Sequence, residues 1–419
     1  MCSIDMMKFI IPAGFNVLFW GLVGAWRRWH DAPIPSLTRT QRTKATAAIC
    51  LAAHNEAETL EQTLASLKRL APANRIFVIS DGSTDTTAEL AARAGCSVLE
   101  LAHGRGKAAA LEAGIKHFNL LNRFRYLMIA DADTIFESHF LDRAISLHET
   151  DPSLAVVFAY ERPLNSGARS LSFWEAYRTR LWIMLQTLIT YGQAWGHTNV
   201  YPVVPGYANV YRTSVLRQLT IAVPGTIIED FNLAFQIHKK RLGSIIVHPS
   251  LQAFTQNPAT LTDYWLQVLR WNIGFFQAIK QWGFWPSRFW AALLPFIFEN
   301  IIIAIIGHLI PTIATLAVLV SLPGGPTWQT PAVQRFLPVA VAGLLGFVIT
   351  DYAVTLVIAL RLRSKQLAWY GLGFLFVHYI NCIIFMYAIP KGLLTTSDGR
   401  WTSPVRQPIS QPERSRTLL

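Results

Sequence analysis

"YLMIADADT", Tyr126 to Thr134, is the stretch whose reading decides the fold. An apolar run stops abruptly at two aspartates, Asp131 and Asp133, separated by one alanine. A short apolar run bounded by polar residues suits a strand buried on both faces, as in a sheet covered by helices. Runs of the same kind lie on either side: "AAICLAAHNE" from Ala47, "RIFVISDGS" from Arg75, "CSVLEL" from Cys96 and "LAVVFAYE" from Leu154. Between them, "AETLEQTLASLKRL", "TDTTAELAARAG" and "GKAAALEAGIKHF" have helical period, the second closed by Gly95. Strands alternating with such helices predict an α/β domain with a mostly parallel sheet. In these sheets ligands bind beyond the carboxyl ends of the strands. The polar residues at those ends are therefore the candidate site.

The rest of the 419-residue chain has a different character. It is 52% hydrophobic and 15% charged, against roughly 45–50% and about 25% in soluble proteins. Phe9–Trp26 is apolar and ends at Arg27-Arg28. Its length is close to the minimum of about 18 residues for one crossing. With no charged region before it and no small-residue cleavage site after it, it reads as a retained anchor with its arginine end in the cytoplasm. Three further apolar blocks follow, Phe289–Leu322, Phe336–Leu360 and Leu367–Leu394. Three single crossings would place the basic tail outside, whereas Lys391, Arg400 and Arg406 argue for inside. Which block is a hairpin or lies partly in the interface stays open. The expected plan is an anchor over 1–37, a cytosolic α/β domain over 38–260, an interfacial helix over 261–287, transmembrane helices over 288–394 and a polar tail over 395–419.

The net charge of +12 does not form a nucleic-acid stripe. Arg27–Arg28, Arg39–Lys44 and Lys239–Arg241 border apolar segments or the polar middle, so anionic lipids and phosphorylated substrates account for them. No groove-reading motif is present, and a nucleic-acid partner is not expected. Cys2, Cys50, Cys96 and Cys382 form no C-x-x-C pair and read as small buried hydrophobes.

Several constellations carry chemistry. Asp131 and Asp133 follow a strand end, where carboxylates suit Mg2+ or Mn2+, or cap an Asx-turn. Gly104, Gly106 and Lys107 open a helix, which offers free N–H groups and a cation to an anion, or is an ordinary glycine turn. The adjacent acids Glu229 and Asp230 lead an amphipathic helix, as dipole-favoured charge or as a general base. "LQVLRW", Leu266 to Trp271, sets Arg270, a planar donor fork suited to phosphate, beside the flat indole of Trp271. "WEAYRTRLW", with Arg178, Arg180 and Trp182, reads as an interfacial anchor. Glu299, His308 and Asp351 are ionisable residues inside apolar blocks, assigned to polymer passage or helix packing. Trp282, Trp285, Trp290 and Trp369 fall near those blocks and read mostly as belt or core residues.

The ordered set A-H-N-E, S-D-G-S-T-D, G-K, D-A-D, E-D and Q-V-L-R-W resembles the processive inverting glycosyltransferases of family 2, the cellulose, chitin, hyaluronan and poly-N-acetylglucosamine synthases. The resemblance covers roughly Ala47 to Arg406. It is closest to the bacterial poly-N-acetylglucosamine synthases, through a tail matching Arg400-Trp401-Thr402-Ser403-Pro404-Val405-Arg406. It implies a GT-A-like domain joined to transmembrane and interfacial helices. Ala53, His54, Asn55, Glu56 and Asp81 match the nucleotide grip, and Lys107, Asp131 and Arg270 the diphosphate contacts. Asp133, with Asp131, matches the Mg2+ or Mn2+ ligands. Asp230, with Glu229 beside it, matches the catalytic base. Gln267 and Trp271 match the acceptor site, and Trp401 and Arg406 fall in a gating tail. Two positions depart from the family pattern, Ser80 for an aspartate and Ile228 for a threonine.

The implied activity is transfer from a UDP-sugar, UDP-N-acetylglucosamine first among them, to a growing β-linked polysaccharide that crosses the bilayer. An accessory membrane subunit is a possible partner. The implied location is the inner (plasma) membrane, with the catalytic domain cytosolic. UDP-glucose or UDP-glucuronate as donor, a nonprocessive glycolipid synthase, and a non-enzymatic export partner are the alternatives.

Overall fold

The computed structural model of the chain describes residues 14–37, 46–164, 171–321 and 331–399, with side chains left out between 307 and 344. Helix α1 (Phe15–His30) leads into a sheet whose first strands are β1 (Ala47–Ala53), β2 (Ile76–Asp81), β3 (Ser97–Leu101) and β4 (Tyr126–Asp131). Helices α2 (Ala57–Leu67), α3 (Thr87–Arg93) and α4 (Lys107–His117) connect them. The sheet continues with β5 (Ile135–Phe136), α5 (Phe140–Thr150), β6 (Leu154–Pro163), α6 (Phe173–Leu185), β7 (Ala208–Arg212), α7 (Glu229–Lys240) and β8 (Ser244–Thr255). The strand order is β3-β2-β1-β4-β7-β6-β8-β5.

β1 is buried along its whole length and pairs parallel with β2 and β4, while β2 pairs parallel with β3. Its alternate side chains feed two cores. Ile49 and Leu51 pack toward α2 and α5, and Ala48, Cys50 and Ala52 toward α4 and α7. A strand wetted on neither face has no reason to alternate polar residues, which is why its sequence is an unbroken apolar run. Cys50 lies in this core with its thiol pushed up to about 12 by burial, as a small hydrophobe would. The helix expected to close at Gly95 does so. Gly95 has φ 83°, and Cys96 and Gly95 donate to the carbonyls of Ala91 and Ala92 at 3.2 and 2.9 Å. That is a Schellman end, with glycine supplying the left-handed residue.

Beyond β4 the sheet becomes mixed. β7 runs antiparallel to both β4 and β6, β6 and β8 are parallel, and β5 is antiparallel to β8. The parallel expectation holds for the half built from strand–helix alternation. β7 departs from it, entering between β4 and β6 antiparallel to both, although α6 lies between β6 and β7 in the chain.

Helix α8 (Leu261–Trp282) is fixed at both ends. The Thr260 hydroxyl accepts from the Asp263 amide at 3.1 Å, and Gly283 takes φ 64° after its last turn. It packs along the last long helix of the apolar region, which comprises α9 (Arg288–Ser321), α10 (Pro331–Leu362), the short α11 (Lys365–Gly371) and α12 (Phe374–Leu394). Among the described residues, three stretches are long and apolar enough to cross a membrane: Arg288–Ile306, Leu345–Leu362 and Phe374–Leu394. Phe298, Ile349, Leu360 and Phe376 stay exposed on them, an apolar surface suited to lipid. Part of the expected anchor, residues 9–13, lies outside the described residues, as do Cys2, Trp401, Arg406 and the side chain of His308.

The structure corrects several expectations. Arg27 does not sit among headgroups. It is buried and donates to the carbonyls of Tyr191, Ala194 and Val247 at 2.8, 2.9 and 2.6 Å, with Asp31 as its ion partner at 2.9 Å. The arginine therefore locks α1 onto the α/β domain. Arg178 and Arg180 are not interfacial anchors either, being 3% and 0% exposed. Positions two apart on a helix face away from each other, so α6 sends Arg178 toward Trp271 of α8 and Arg180 toward Asp351 of α10. Arg180 pairs with Asp351, which also meets His378 at 3.1 Å.

Asp351 is thus a packing residue. Glu299 is likewise bonded across helices, accepting from the Asn16 amide at 3.1 Å. Breaking a buried pair leaves an uncompensated charge and costs about 3–5 kcal/mol. Asp351→Leu is accordingly expected to lower the melting temperature of the detergent-solubilised protein markedly, as read by intrinsic fluorescence. Trp290 is core, Trp282 donates to Asn232 at 3.0 Å, and Trp369 is exposed.

Candidate active site

The carboxyl ends of β1, β2 and β4 open on one side of the sheet, as expected for a parallel half-sheet. At the β1 end, Asn55 has φ 56° and its side-chain oxygen accepts from the Thr84 amide at 2.8 Å. Glu56 accepts from the Thr59 hydroxyl at 2.8 Å, and its amide donates to the Thr87 hydroxyl at 2.9 Å. Asp81 is fully buried. Its carboxylate accepts from the Arg105 and Gly106 amides at 2.9 and 2.8 Å, and its carbonyl meets His54 Nδ1 at 2.7 Å. Asp81 therefore spends its charge on the glycine loop before α4. Gly82 makes that approach possible, since a Cβ there would lie 2.4 Å from the Gly104 nitrogen. Glu56 lines the crevice that follows, whereas Ala53, His54, Asn55 and Asp81 stand behind it.

This crevice, about 380 Å3, brings together Lys107, Asp131, Asp133, Glu229, Asp230, Gln267, Arg270 and Trp271. Lys107 opens α4 directly after Gly106, at φ 87°. Its ammonium lies 2.7 Å from Asp131 Oδ1 and 2.8 Å from Glu229 Oε1. Burial works against its charge, but Asp131, Glu229 and Asp230 outweigh that and hold the ammonium well above its ordinary range. Asp230 moves the other way. Burial first and the neighbouring Glu229 second raise its carboxyl to about 7, while Lys107 pulls it down.

Glu229 and Asp230 open α7 after Ile228, which has no side chain able to cap. Ile228 packs instead against α8, where a Cβ on Gly274 would lie 2.4 Å from it. The Ile227 amide donates to Gln277 at 2.8 Å, binding the same two helices. The departure at Ile228 thus exchanges a capping hydroxyl for an apolar contact between the acid pair and the helix of the R-W motif.

Gln267, Arg270 and Trp271 occupy one face of α8, as a spacing of three and four residues requires. A second cavity, also about 380 Å3, lies beyond them. Asp131, Asp133, Tyr207, Asp230, Gln267 and Trp271 line both spaces, while Arg270 lines only the first. The second runs on to Leu293, Phe296 and Asn300 of α9 and Phe385 of α12. The junction is therefore a half-buried acid and an indole, open to a polar crevice on one side and to apolar helices on the other.

Some of these residues escape sequence reasoning. The tail residues Ser397 and Asp398 line the first crevice, with Ser397 bridged to Gly225. Tyr207 lines both spaces and donates to the Ala159 carbonyl at 2.7 Å. Gly206 faces the charged cluster: a Cβ there would lie 2.3 Å from Lys107 Nζ, 2.8 Å from Asp230 Oδ1 and 2.9 Å from Glu229 Oε1. All three are side-chain ends, so Gly206→Ala should fold and lose geometry. A misplacement on the order of 1 Å costs about 10²-fold. We expect sugar-transfer turnover to fall by about 10–10²-fold with little change in melting temperature.

Among the described residues, no group of three or more His, Cys, Asp or Glu side chains is arranged to hold a metal ion. Asp131 and Asp133 are two hard oxygen donors on one turn. That suits a divalent ion whose remaining ligands are phosphate oxygens and water.

Comparison with known proteins agrees with this arrangement. A profile described as Glycosyl transferase family 2 matches residues 48–219. A poly-beta-1,6-N-acetyl-D-glucosamine synthase of Staphylococcus epidermidis is 26% identical over 86% of this chain and 87% of its own length. One from Staphylococcus aureus is 27% identical over 85% and 86%. Among solved structures, a mannosyltransferase from Pyrobaculum calidifontis, in complex with GDP-Man and Mn2+, superposes with a TM-score of 0.54. That match has 17% identity and covers 88% of this chain and 96% of the other. At that identity the match shows a common fold, the GT-A-like mixed sheet. Residues 48–219 are thus similar to glycosyltransferase family 2, and the chain is a sugar-transferring enzyme.

Proposed function

We propose that the protein is a membrane-embedded, processive, inverting synthase that polymerises UDP-N-acetylglucosamine into a β-linked polysaccharide and passes the chain across the membrane. The observation that carries this reading is the junction at Asp230 and Trp271. There a polar crevice fit for a nucleotide sugar meets a second cavity that ends among the apolar helices. A growing chain seated in the second cavity would already point toward the membrane. The staphylococcal relatives support N-acetylglucosamine as the sugar and a β-linkage, in their case β-1,6.

In this mechanism Asp131 and Asp133 would hold a divalent cation, Mg2+ or Mn2+, which when bound supplies charge neutralisation for the leaving diphosphate. Arg270 faces the same crevice and neutralises charge on the departing UDP through its planar donors. Trp271 offers a flat apolar face to the acceptor sugar. Gln267, with a buried side-chain oxygen that has no protein partner, accepts a hydrogen bond from one of its hydroxyls. Asp230 removes the proton from the attacking hydroxyl. Its raised carboxyl, at about 7, is matched to that task near neutral pH. Attack on the face opposite UDP inverts the anomer.

His54, Asn55, Glu56 and Asp81 shape the nucleotide end, Asp81 by fixing the glycine loop. The basic border of the apolar segments supports a plasma-membrane enzyme whose catalytic domain faces the cytosol.

The test is UDP release by the purified full chain with Mg2+ or Mn2+, offered UDP-N-acetylglucosamine, UDP-glucose and UDP-glucuronate singly and in pairs. The expected result is release from UDP-N-acetylglucosamine alone, with a labelled product of high mass. A small lipid-extractable product, or product only from a donor pair, would contradict it.

A further inference from the structure

Arg178 belongs to none of the family-matched motifs above, and it occupies the wall of the second cavity. Its guanidinium lies 4.2 Å from the centre of the Trp271 ring and 4.6 Å from that of Trp182. The side chain is 3% exposed, and one terminal nitrogen, Nη2, has no hydrogen-bond partner. Burial lowers its pKa, while Tyr264 and Glu161 act in the opposite sense. A guanidinium carries donors only. A buried donor left open is costly unless something that accepts a hydrogen bond fills the place.

Glu161 lines the same cavity and is held in position. Gln186, at the start of a π-helical turn, accepts from the Glu161 amide at 2.7 Å and donates to its carbonyl at 2.9 Å. The Thr255 hydroxyl donates to the Glu161 carboxylate at 2.6 Å. Such turns inside helices recur at functional sites. A fixed carboxylate beside the arginine balances the local charge, so the cavity favours a neutral guest over a uronate. The surrounding surface is apolar at Leu185 and on both indoles. The guest that presents an acceptor oxygen to Nη2 and a methyl group to those walls is an acetamido sugar.

We infer that Arg178 is a specificity-determining residue that donates from Nη2 to the acetamido carbonyl of the acceptor sugar seated in the second cavity. This rests on the reading of the second cavity as the acceptor site. It adds the group that is recognised there.

The experiment uses the full-length protein in detergent with UDP-N-acetylglucosamine and Mn2+. The acceptor KM is measured for short β-linked oligomers of N-acetylglucosamine and for the same oligomers deacetylated, in wild type, Arg178→Lys, Arg178→Met and Trp271→Ala. UDP affinity serves as the check on folding. The wild type is expected to prefer the acetylated oligomer. Both Arg178 variants should raise its KM by about tenfold, more than they lower kcat, and erase the preference. An unchanged KM and preference in the Arg178 variants, with Trp271→Ala raising KM, would overturn the assignment of Arg178 alone. An unchanged KM in Trp271→Ala would overturn the acceptor-cavity reading, and Arg178 with it. Equal use of both oligomers by the wild type would also overturn the role given to Arg178, whether or not the variants fold.

Discussion

Asp230→Asn is expected to lower polymer formation by about 10²–10⁴-fold, the range for removal of a positioned general base, while UDP still binds within about threefold of wild type. The substitution is nearly isosteric and removes only the capacity to take a proton. The surroundings argue for this residue. Asp230 opens α7 at the junction of two cavities, and burial with Glu229 alongside raises its carboxyl to about 7. The ionised form is the base, so activity should rise with pH through about 7 and level off above it. Steady-state rates between pH 5.5 and 9 give the profile, and isothermal titration gives UDP affinity. A variant with more than about a tenth of wild-type turnover would remove Asp230 from the mechanism.

Lys107→Met should have an effect of comparable size by a different route. The ammonium lies between Asp131 and Glu229 and holds the Asp230 carboxyl down. Removing it leaves several carboxylates facing one another in a buried crevice, and like charges in close quarters resist ionisation. The acid limb of the pH profile should therefore move upward by about one pH unit. Turnover at pH 7.5 should fall by about 10²–10³-fold, the usual cost of deleting one preorganised charge from such a site. A fall in turnover without movement of the acid limb would separate Lys107 from the acid pair. In that case it would act on the donor alone.

The sequence exposes the parallel half of the sheet because β1, β2 and β4 are buried on both faces and so read as plain apolar runs. The strand-end acids are equally visible, since polar residues that end such runs lie at the ligand-binding edge. β7 and β8 are harder to read. "ANVYR" is short and mixed in character, and its antiparallel setting depends on neighbours distant in the chain. β8 does carry an apolar run, Ile245 to Val247, but it continues through His248 and Pro249, where its register against β6 shifts.

The fate of the arginines is the clearest limit. Arg27, Arg178 and Arg180 look like interfacial residues in one dimension, beside tryptophans and apolar runs. Each is buried because a specific partner far along the chain waits for it: carbonyls near Tyr191 and Val247, the Trp271 ring, and Asp351. No local pattern encodes such pairings. Gly206 is hidden for a related reason. Its value lies in the space it leaves for Lys107, Glu229 and Asp230, and that space exists only after folding.

In the proposed function one junction both builds a polymer and delivers it into the membrane. The most direct test reconstitutes the full chain into sealed liposomes and adds labelled UDP-N-acetylglucosamine and Mn2+ from outside. Product mass is then measured before and after treatment with an external polysaccharide hydrolase. The expected result is a high-mass product that forms from this donor alone and survives the hydrolase until the liposomes are opened with detergent. A product of one or two sugars attached to lipid, or a polymer digested at once from outside, would contradict the claim.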